Sequence, residues 1–442
     1  MKKWATLIEE IVWYLLLIAL PFQTRHIFGY VGGTGEYAGI YCYATDALVI
    51  VLLLLWAMRS IREHHRITRD EPVHFVLLIG GIALLSALFA AAIPLGLFGW
   101  AKIVEMLALF LYVYRNIGRF SLRLTYASIF VSGVIQALIG AAQFYLQSSL
   151  QLHFLAESPL SPFNSADAVL NTPALKLLRP YGTLPHPNIL AMFLIVAFFA
   201  GIGIYMKSRT FIARLGIILG MALELFVLLA TLSRAELVGF ALGGGIFLLF
   251  IYKEKASFMW KRFYEVAAPI LFFAAIIGFA LAGVMAHRAG GLAYDKSANL
   301  RASYNTWAVR IIEQKSFLGV GPRNFTHYVQ TTTDPGLPAG DYQPVHNVYL
   351  LVGAELGLSG LIAFLMLLFS SVVNAAKALE MKINTPEKLD LALFFILLVI
   401  LLFTMFFDHY IWTMQQGMLM FWIILGILMG LVKYGLTPSN RA

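Results

Sequence analysis

One imidazole and a few scattered guanidinium groups carry the chemistry that can be read in this chain. His346 sits in the run Val345-His346-Asn347-Val348-Tyr349-Leu350, where a long polar loop meets an apolar segment. An imidazole titrates near neutrality and can take a proton from a hydroxyl and pass it on, so His346 is the candidate general base, with Asn347 and Tyr349 as candidates to orient it. The segment Arg179-Pro180-Tyr181-Gly182-Thr183-Leu184-Pro185-His186-Pro187-Asn188 runs directly into another apolar stretch. Its prolines force extended or turned backbone ahead of a helix whose first N–H groups lack partners, and Arg179 adds a planar bidentate donor. That outlines an anion site with His186 and Asn188 at its edge; the plainer alternative is a helix-entry turn with Arg179 among lipid headgroups. A third element, Thr231-Leu232-Ser233-Arg234-Ala235-Glu236-Leu237, is a polar break too short to reach far into water, where charge is costly unless partnered. Arg234 is therefore a second anion-binding candidate, or half of a local pair with Glu236.

The loop before His346 adds six Lys/Arg residues over positions 287–344, among them Arg301 and Arg323, both candidates to bind an anionic substrate. Trp307, Ile311, Phe317 and Leu318 fit an amphipathic helix lying on a leaflet, with Gly319 and Gly321 permitting a tight turn after it. Arg310 and Lys315 read as solvated. Asp408-His409-Tyr410, with Trp412, is a further acid/base candidate or part of an interfacial aromatic belt. Glu355 follows His346 by two and a half helical turns and so falls on the opposite face, which argues against a dyad unless the helix breaks near Gly353. No Asp-x-Asp pair marks the outer loops, no Cys/His cluster has metal spacing, and Cys42 is the single cysteine. No metal, no cofactor and no intramolecular disulfide is expected.

These residues must be positioned from within a lipid bilayer. Apolar residues make up 60% of the 442, charged residues 12%, and mean hydropathy is +0.79, a composition solvated mostly by lipid. Only helices and closed barrels satisfy backbone groups in hydrocarbon, and the segments lack the ~10-residue alternation of a barrel. An all-α polytopic fold follows, with about twelve spans near 7–23, 45–60, 74–94, 97–114, 124–146, 188–206, 214–230, 237–252, 266–286, 346–372, 390–407 and 414–432. We expect one transmembrane domain over 1–442, a large helical extracytoplasmic loop at 287–345 between spans nine and ten that completes the site, and a smaller outer loop at 147–187. Glu9 and Glu10 interrupt the first apolar stretch and no small-residue cleavage site follows, so it reads as a retained span rather than a secretory signal.

Loop charge sets the orientation. Arg59, Arg62, Arg66 and Arg69; Arg115, Arg119 and Arg123; Lys207, Arg209 and Arg214; Lys253, Lys255, Lys261 and Arg262; and Lys377, Lys382 and Lys388 mark cytoplasmic loops, with both termini on that side and the candidate residues facing away from it. The net charge of +9 is thereby topological, and nucleic acid is not an expected partner.

Taken in order, Arg179-Pro-Tyr-Gly-Thr…His186-Pro-Asn, Ser233-Arg234, Gly319-Val-Gly-Pro-Arg-Asn-Phe and His346-Asn-Val-Tyr-Leu…Glu355-Leu-Gly resemble the O-antigen ligase and O-antigen polymerase superfamily over about residues 175–370. The resemblance implies a glycosyltransferase of the bacterial inner membrane, active on its outer face in lipopolysaccharide or cell-envelope polysaccharide biosynthesis. Its donor would be a glycan on undecaprenyl diphosphate, and its acceptor a hydroxyl on a glycan or on lipid A-core. It further implies that Arg179 and Arg234 hold the diphosphate and that His346 deprotonates the acceptor or otherwise assists transfer; with no Asp-x-Asp pair, arginines rather than a metal would have to neutralise the diphosphate. Val238 stands four positions after Arg234, where ligases often carry Leu, so ligase and polymerase stay open. A non-enzymatic transporter or flippase of the same lipid-linked saccharide is the alternative; it would need charges spread through several helices around a through-going path.

Overall fold

Each apolar stretch expected to span lipid is a long helix in the computed structural model, which describes every residue except 1, 34, 64–69, 165–166, 172–175, 255–256, 291–295, 382–384 and 437–442. Arg66, Arg69, Lys255 and Lys382, counted above as cytoplasmic, lie outside the described residues. The order is α1 (Lys2–Ala19), a hairpin of β1 (Arg25–Tyr30) and β2 (Gly39–Tyr43), α2 (Ala44–Arg62), α3 (Glu71–Leu88), α4 (Ile93–Asn116) and α5 (Leu122–Leu146). A short hairpin of β3 (Val169–Asn171) and β4 (Lys176–Leu178) precedes α6 (Pro187–Lys207), α7 (Phe211–Ala230), α8 (Arg234–Glu254) and α9 (Ser257–Gly290). The large loop holds α10 (Lys296–Gln314) and α11 (Phe325–Tyr328); then come α12 (Val348–Glu380), α13 (Thr385–Thr404), the single turn α14 (Tyr410–Thr413) and α15 (Gln415–Leu436). Among the described residues, ten helices are long and apolar enough to cross a membrane by length and composition; α1 and α13 fall outside those ten. The chain is an all-α polytopic membrane protein.

Helix α6 is the axis. It is apolar all round, every residue from Ile189 to Met206 is buried, and α5, α7, α8 and α13 pack against it. Pro187 opens it at a position where the missing N–H costs nothing, and His186 caps it, Nδ1 accepting from the Asn188 amide at 3.2 Å. A site built on the first turn of α6 therefore stands on the most enclosed element of the bundle. At the other extreme, α9 packs chiefly on α7 and is largely exposed.

Several charges within the bundle are partnered, which offsets the cost of their burial, whereas Glu224 on α7 is fully buried with neither carboxylate oxygen hydrogen-bonded. Glu9, the interruption in the first stretch, binds Arg59 at 2.9 Å and accepts from the Tyr112 hydroxyl at 3.0 Å. Lys102 bridges Asp46 at 2.7 Å and Glu105 at 2.6 Å, and the Gln415 amide also donates to Asp46. At the end of α6 away from His186, Lys207 pairs with Asp390 at 2.9 Å.

Helix α12 is broken at Gly357, whose φ of 72° and ψ of −178° leave the helical region. The break lies four residues beyond Gly353, where the sequence had placed a possible one. It frees carbonyls that the turn after α10 then uses: Val320 N–H donates to Ala354 O at 2.9 Å and Gly321 N–H to Glu355 O at 3.0 Å. Leu358 N–H donates in return to Ser316 O at 2.7 Å. Gly319, at φ 66°, lies so close to Glu355 that an added Cβ would sit 2.5 Å from its carbonyl. The loop is thus bonded into the membrane helix.

Helix α10 differs from the surface-lying helix expected. Tyr304, Trp307, Ala308 and Ile311 are buried and α10 packs on α12, because its apolar face finds protein before lipid; Phe317, beyond its end, is 73% exposed. Arg310 and Lys315 are exposed.

Gly357→Ala would place a Cβ 2.1 Å from Phe317 O at a left-handed φ. We expect a loss of about 3 kcal/mol or more, read as a lower melting temperature in detergent. Gly216→Ala on α7, whose Cβ meets nothing within 4 Å, leaves melting unchanged.

Candidate active site

Four segments distant in sequence meet at one end of the bundle: the turn entering α6, the turn between α7 and α8, the start of α12, and the link from α13 to α14. Asn188 joins them. Its Oδ1 accepts from Arg179 Nη2 at 2.9 Å and lies 2.9 Å from Ser233 Oγ, while its Nδ2 donates to Asp408 Oδ2 at 2.8 Å. Donors on one side and a carboxylate on the other fix which way the amide faces.

Arg179 is buried. Its Nε donates to the carbonyl of Thr231, at the C-terminal end of α7, where exposed carbonyls favour a cation. Arg179 thereby ties the α6 entry turn to the α7–α8 turn. Arg234 is the first residue of α8, adjacent to Ser233, and is partly exposed. Glu236 is fully buried and accepts from the Ser233 hydroxyl and, at 3.1 Å, from the Tyr410 hydroxyl.

His346 stands immediately ahead of α12. Its ring lies parallel to Tyr304, with centroids 5.8 Å apart and planes at 9°, and edge-on to His409 at 4.8 Å. Its Nδ1 is buried with no hydrogen-bond partner. The Tyr304 hydroxyl is anchored on Asp341 O at 2.7 Å, so α10 supplies a fixed wall for the imidazole. One ligand-capable atom each from His346, Asp408 and His409 lie within 4.8 Å of one another. Asp408 Oδ1 accepts from the His409 amide at 2.8 Å, and His409 Nδ1 meets Thr413 Oγ1 at 2.7 Å.

The electrostatics divide the groups into one anion and three neutral rings. Burial opposes ionisation of Asp408, but the His346, His409 and His186 imidazoles and the Asn188 amide outweigh it and bring its pKa down to about 2. Burial, followed by the neighbouring His346, holds His409 at about 3; burial and then Arg179 hold His186 at about 3. Burial also lowers His346, with Asp408 pulling the other way. At neutral pH an ionised carboxylate therefore sits beside uncharged imidazoles, one of them with a buried ring nitrogen that has no hydrogen-bond partner. Such a carboxylate stabilises the imidazolium that forms when a neighbouring ring accepts a proton.

The other expected site residues fall into two groups. Arg301 on α10 is partly exposed, its Nε is buried without a partner, and its charge acts on His186, His346 and His409. It belongs with the cluster. Arg323 instead donates to the Tyr41 hydroxyl at 2.7 Å and lies over the rings of Tyr41 and Phe98, at 5.0 and 5.2 Å, pinning the β1–β2 hairpin to α4. Asn347 caps α12, its Oδ1 accepting from Leu350 N–H at 3.1 Å, and Tyr349 donates to Leu402 O at 2.9 Å on α13. Neither bonds His346; both hold the helix that presents it. Glu355 accepts from Trp412 Nε1 at 3.0 Å and forms no dyad with His346.

Asp408 and His409 prove more central than their place in the sequence reading, where they ranked behind His346. Their signal was an ionisable pair closing an apolar span; their link to Asn188, 220 positions away, leaves no trace in spacing. Tyr304 was missed, since nothing marks it among the tyrosines.

The O-antigen ligase family model matches residues 219–365, roughly a third of the chain. The matched stretch contains the Ser233-Arg234 turn, the large loop, His346 and the break at Gly357, while Arg179, Asn188, Asp408 and His409 lie beyond it. No curated protein matches the chain. Residues 219–365 are thus similar to the O-antigen ligase family, in a chain whose described helices include ten long and apolar enough to cross a membrane.

Proposed function

We propose that this protein transfers a glycan from undecaprenyl diphosphate to a sugar hydroxyl at the outer face of the bacterial inner membrane, as an O-antigen ligase or a surface-polysaccharide polymerase. The observation that carries the reading is the single hydrogen-bonded set Arg179–Asn188–Asp408, with Ser233 on the same amide and His346 beside the carboxylate. It brings cationic groups suited to a diphosphate next to a neutral imidazole suited to a hydroxyl.

The reaction balances without a metal. The acceptor oxygen bonds to the anomeric carbon of the donor as that carbon's bond to the diphosphate oxygen breaks, and the bonding pair leaves with the lipid diphosphate. The acceptor proton passes to the open nitrogen of His346, and the resulting imidazolium is held by Asp408 until it releases the proton to the diphosphate or to water. Arg179, Arg234 and Arg301 offset the charge growing on the leaving group in a poorly hydrated site. His186 accepts at Nδ1 from the Asn188 amide, so its hydrogen sits on Nε2, a further donor toward substrate oxygens. The lipid tail stays in the bilayer. Arg323, Asn347 and Tyr349 act by holding the helices and the hairpin in place.

Purified protein given an undecaprenyl-diphosphate oligosaccharide, with and without lipid A-core, decides the reaction. Glycan on the core marks a ligase, lengthened lipid-linked chains mark a polymerase, and no release of lipid diphosphate with either sinks the reading. In the active assay His346→Ala lowers kcat by about 10²–10⁴ and Arg234→Ala lowers it by about 10²–10³. Asn188→Ala disconnects the arginine from the acid/imidazole side, so both KM for donor and kcat change; an effect on KM alone would reduce Asn188 to a binding contact. Sidedness has its own test. In a Cys42→Ser background, Phe163→Cys, at a position 85% exposed, reacts with an impermeant maleimide added outside intact inner-membrane spheroplasts, and Arg209→Cys does not. The reverse pattern would put the site in the cytoplasm.

A further inference from the structure

The same cluster has a second chemistry. We propose that His346, His409 and Asp408 form a binding site for a divalent transition metal of the zinc type, and that the metal acts as a reversible inhibitor by occupying the imidazole needed for transfer. Only the inhibition rests on the proposed reaction; metal binding rests on geometry alone.

Two imidazoles and one carboxylate with their donor atoms inside 4.8 Å match the preference of zinc-type ions, whereas magnesium and calcium favour all-oxygen surroundings. Bonds of about 2.0–2.2 Å to a tetrahedral zinc place ligand atoms about 3.4 Å apart, so the widest separation must close by up to about 1.4 Å. The His346 ring is the part that must move: its Nδ1 has no hydrogen-bond partner to give up, while its stack on Tyr304 and its bond to the Pro344 backbone must shift with it. The outer contacts are those that orient metal ligands. Thr413 Oγ1 donates to His409 O at 3.2 Å, so His409 Nδ1–H donates to that hydroxyl and Nε2 is left as the lone-pair nitrogen. Asp408 is held by Asn188 Nδ2 and by the His409 amide, and each of its oxygens keeps a second lone pair. The Arg301 guanidinium acts on both rings and opposes a dication, which makes the site weaker than a closed structural zinc centre and its occupancy reversible.

The full chain, without a polyhistidine tag and in lipid nanodiscs, is dialysed against Zn²⁺ alone. One ion bound per chain and removed by a chelator is expected. Binding is lost in Asp408→Asn and His409→Ala, weakened about 10–100-fold in Thr413→Val, and unchanged in His26→Ala and His153→Ala, whose histidines are exposed. No saturable binding, or binding that survives both ligand substitutions, overturns the site. Should those two variants fail to fold, Co²⁺ added to the unsubstituted chain decides it: intense visible bands of a four- or five-coordinate ion support the site, and the weak spectrum of the aqua ion overturns it. Zn²⁺ should arrest glycan transfer over the range in which it fills the site, and the chelator should restore it; full transfer with the site filled overturns the inhibition. A chain that binds Zn²⁺ yet transfers no glycan before metal is added contradicts the proposed reaction alone.

Discussion

A partly buried carboxamide sets the terms for this molecule. Asn188 has one acceptor oxygen and two donor hydrogens, and its surroundings assign both ends: Arg179 and Ser233 to the oxygen, Asp408 to the nitrogen. In a low-dielectric interior an unmatched polar end costs more than a matched one gains, so the arrangement tolerates few alternatives. Because Asn188 lies in the first turn of α6, the helix enclosed on all sides, its position is dictated by the packing of the whole bundle. The positions of Arg179, the α7–α8 turn and Asp408 follow from it.

Two other devices hold His346 against this fixed point. The break at Gly357 exposes carbonyls that the turn at 316–321 claims, so the large loop cannot shift without uncapping a membrane helix. Ser86 on α3 joins the same junction, its hydroxyl 2.6 Å from Leu318 O and 2.8 Å from Glu355 O. On the other side, Arg323 clamps the β1–β2 hairpin, and Tyr37 on that hairpin lies edge-on to His409 at 5.7 Å. A ring proposed to take a proton needs a defined orientation more than it needs flexibility, and these contacts come from four separate stretches of chain.

The architecture was largely legible in advance because lipid imposes one rule, internal satisfaction of the backbone, that reads directly as long apolar runs. The site was legible by residue type and only partly by arrangement. Arg179, His186, Asn188, Arg301 and His346 gather, because costly groups at span ends are drawn to one another. Arg323, Asn347 and Tyr349 look the same in sequence yet serve a hairpin clamp, a helix cap and an interhelical bond. Helix capping and interhelical hydrogen bonds use the same side chains as substrate binding, and only three-dimensional partners separate the two. The demotion of Asp408 and His409 has the same origin, since aromatic neighbours at a span end suggest an interfacial belt until the partner from α6 is known.

The seclusion of α6 bears on how the protein is made. With a mean hydropathy of 2.5 it is apolar enough to enter the bilayer alone as it leaves the insertion machinery, long before α13 exists to cover it. Its glycines then admit neighbours at close range, Gly201 against Met221 and Gly203 against Tyr126, so its enclosure is a matter of close fit between helices rather than escape from water. Asp408 arrives 220 residues after Asn188. A nascent chain halted between residues 347 and 407 carries Arg179 and His346 without the carboxylate that Asn188 bonds, so this cluster is assembled only after α13 has been made.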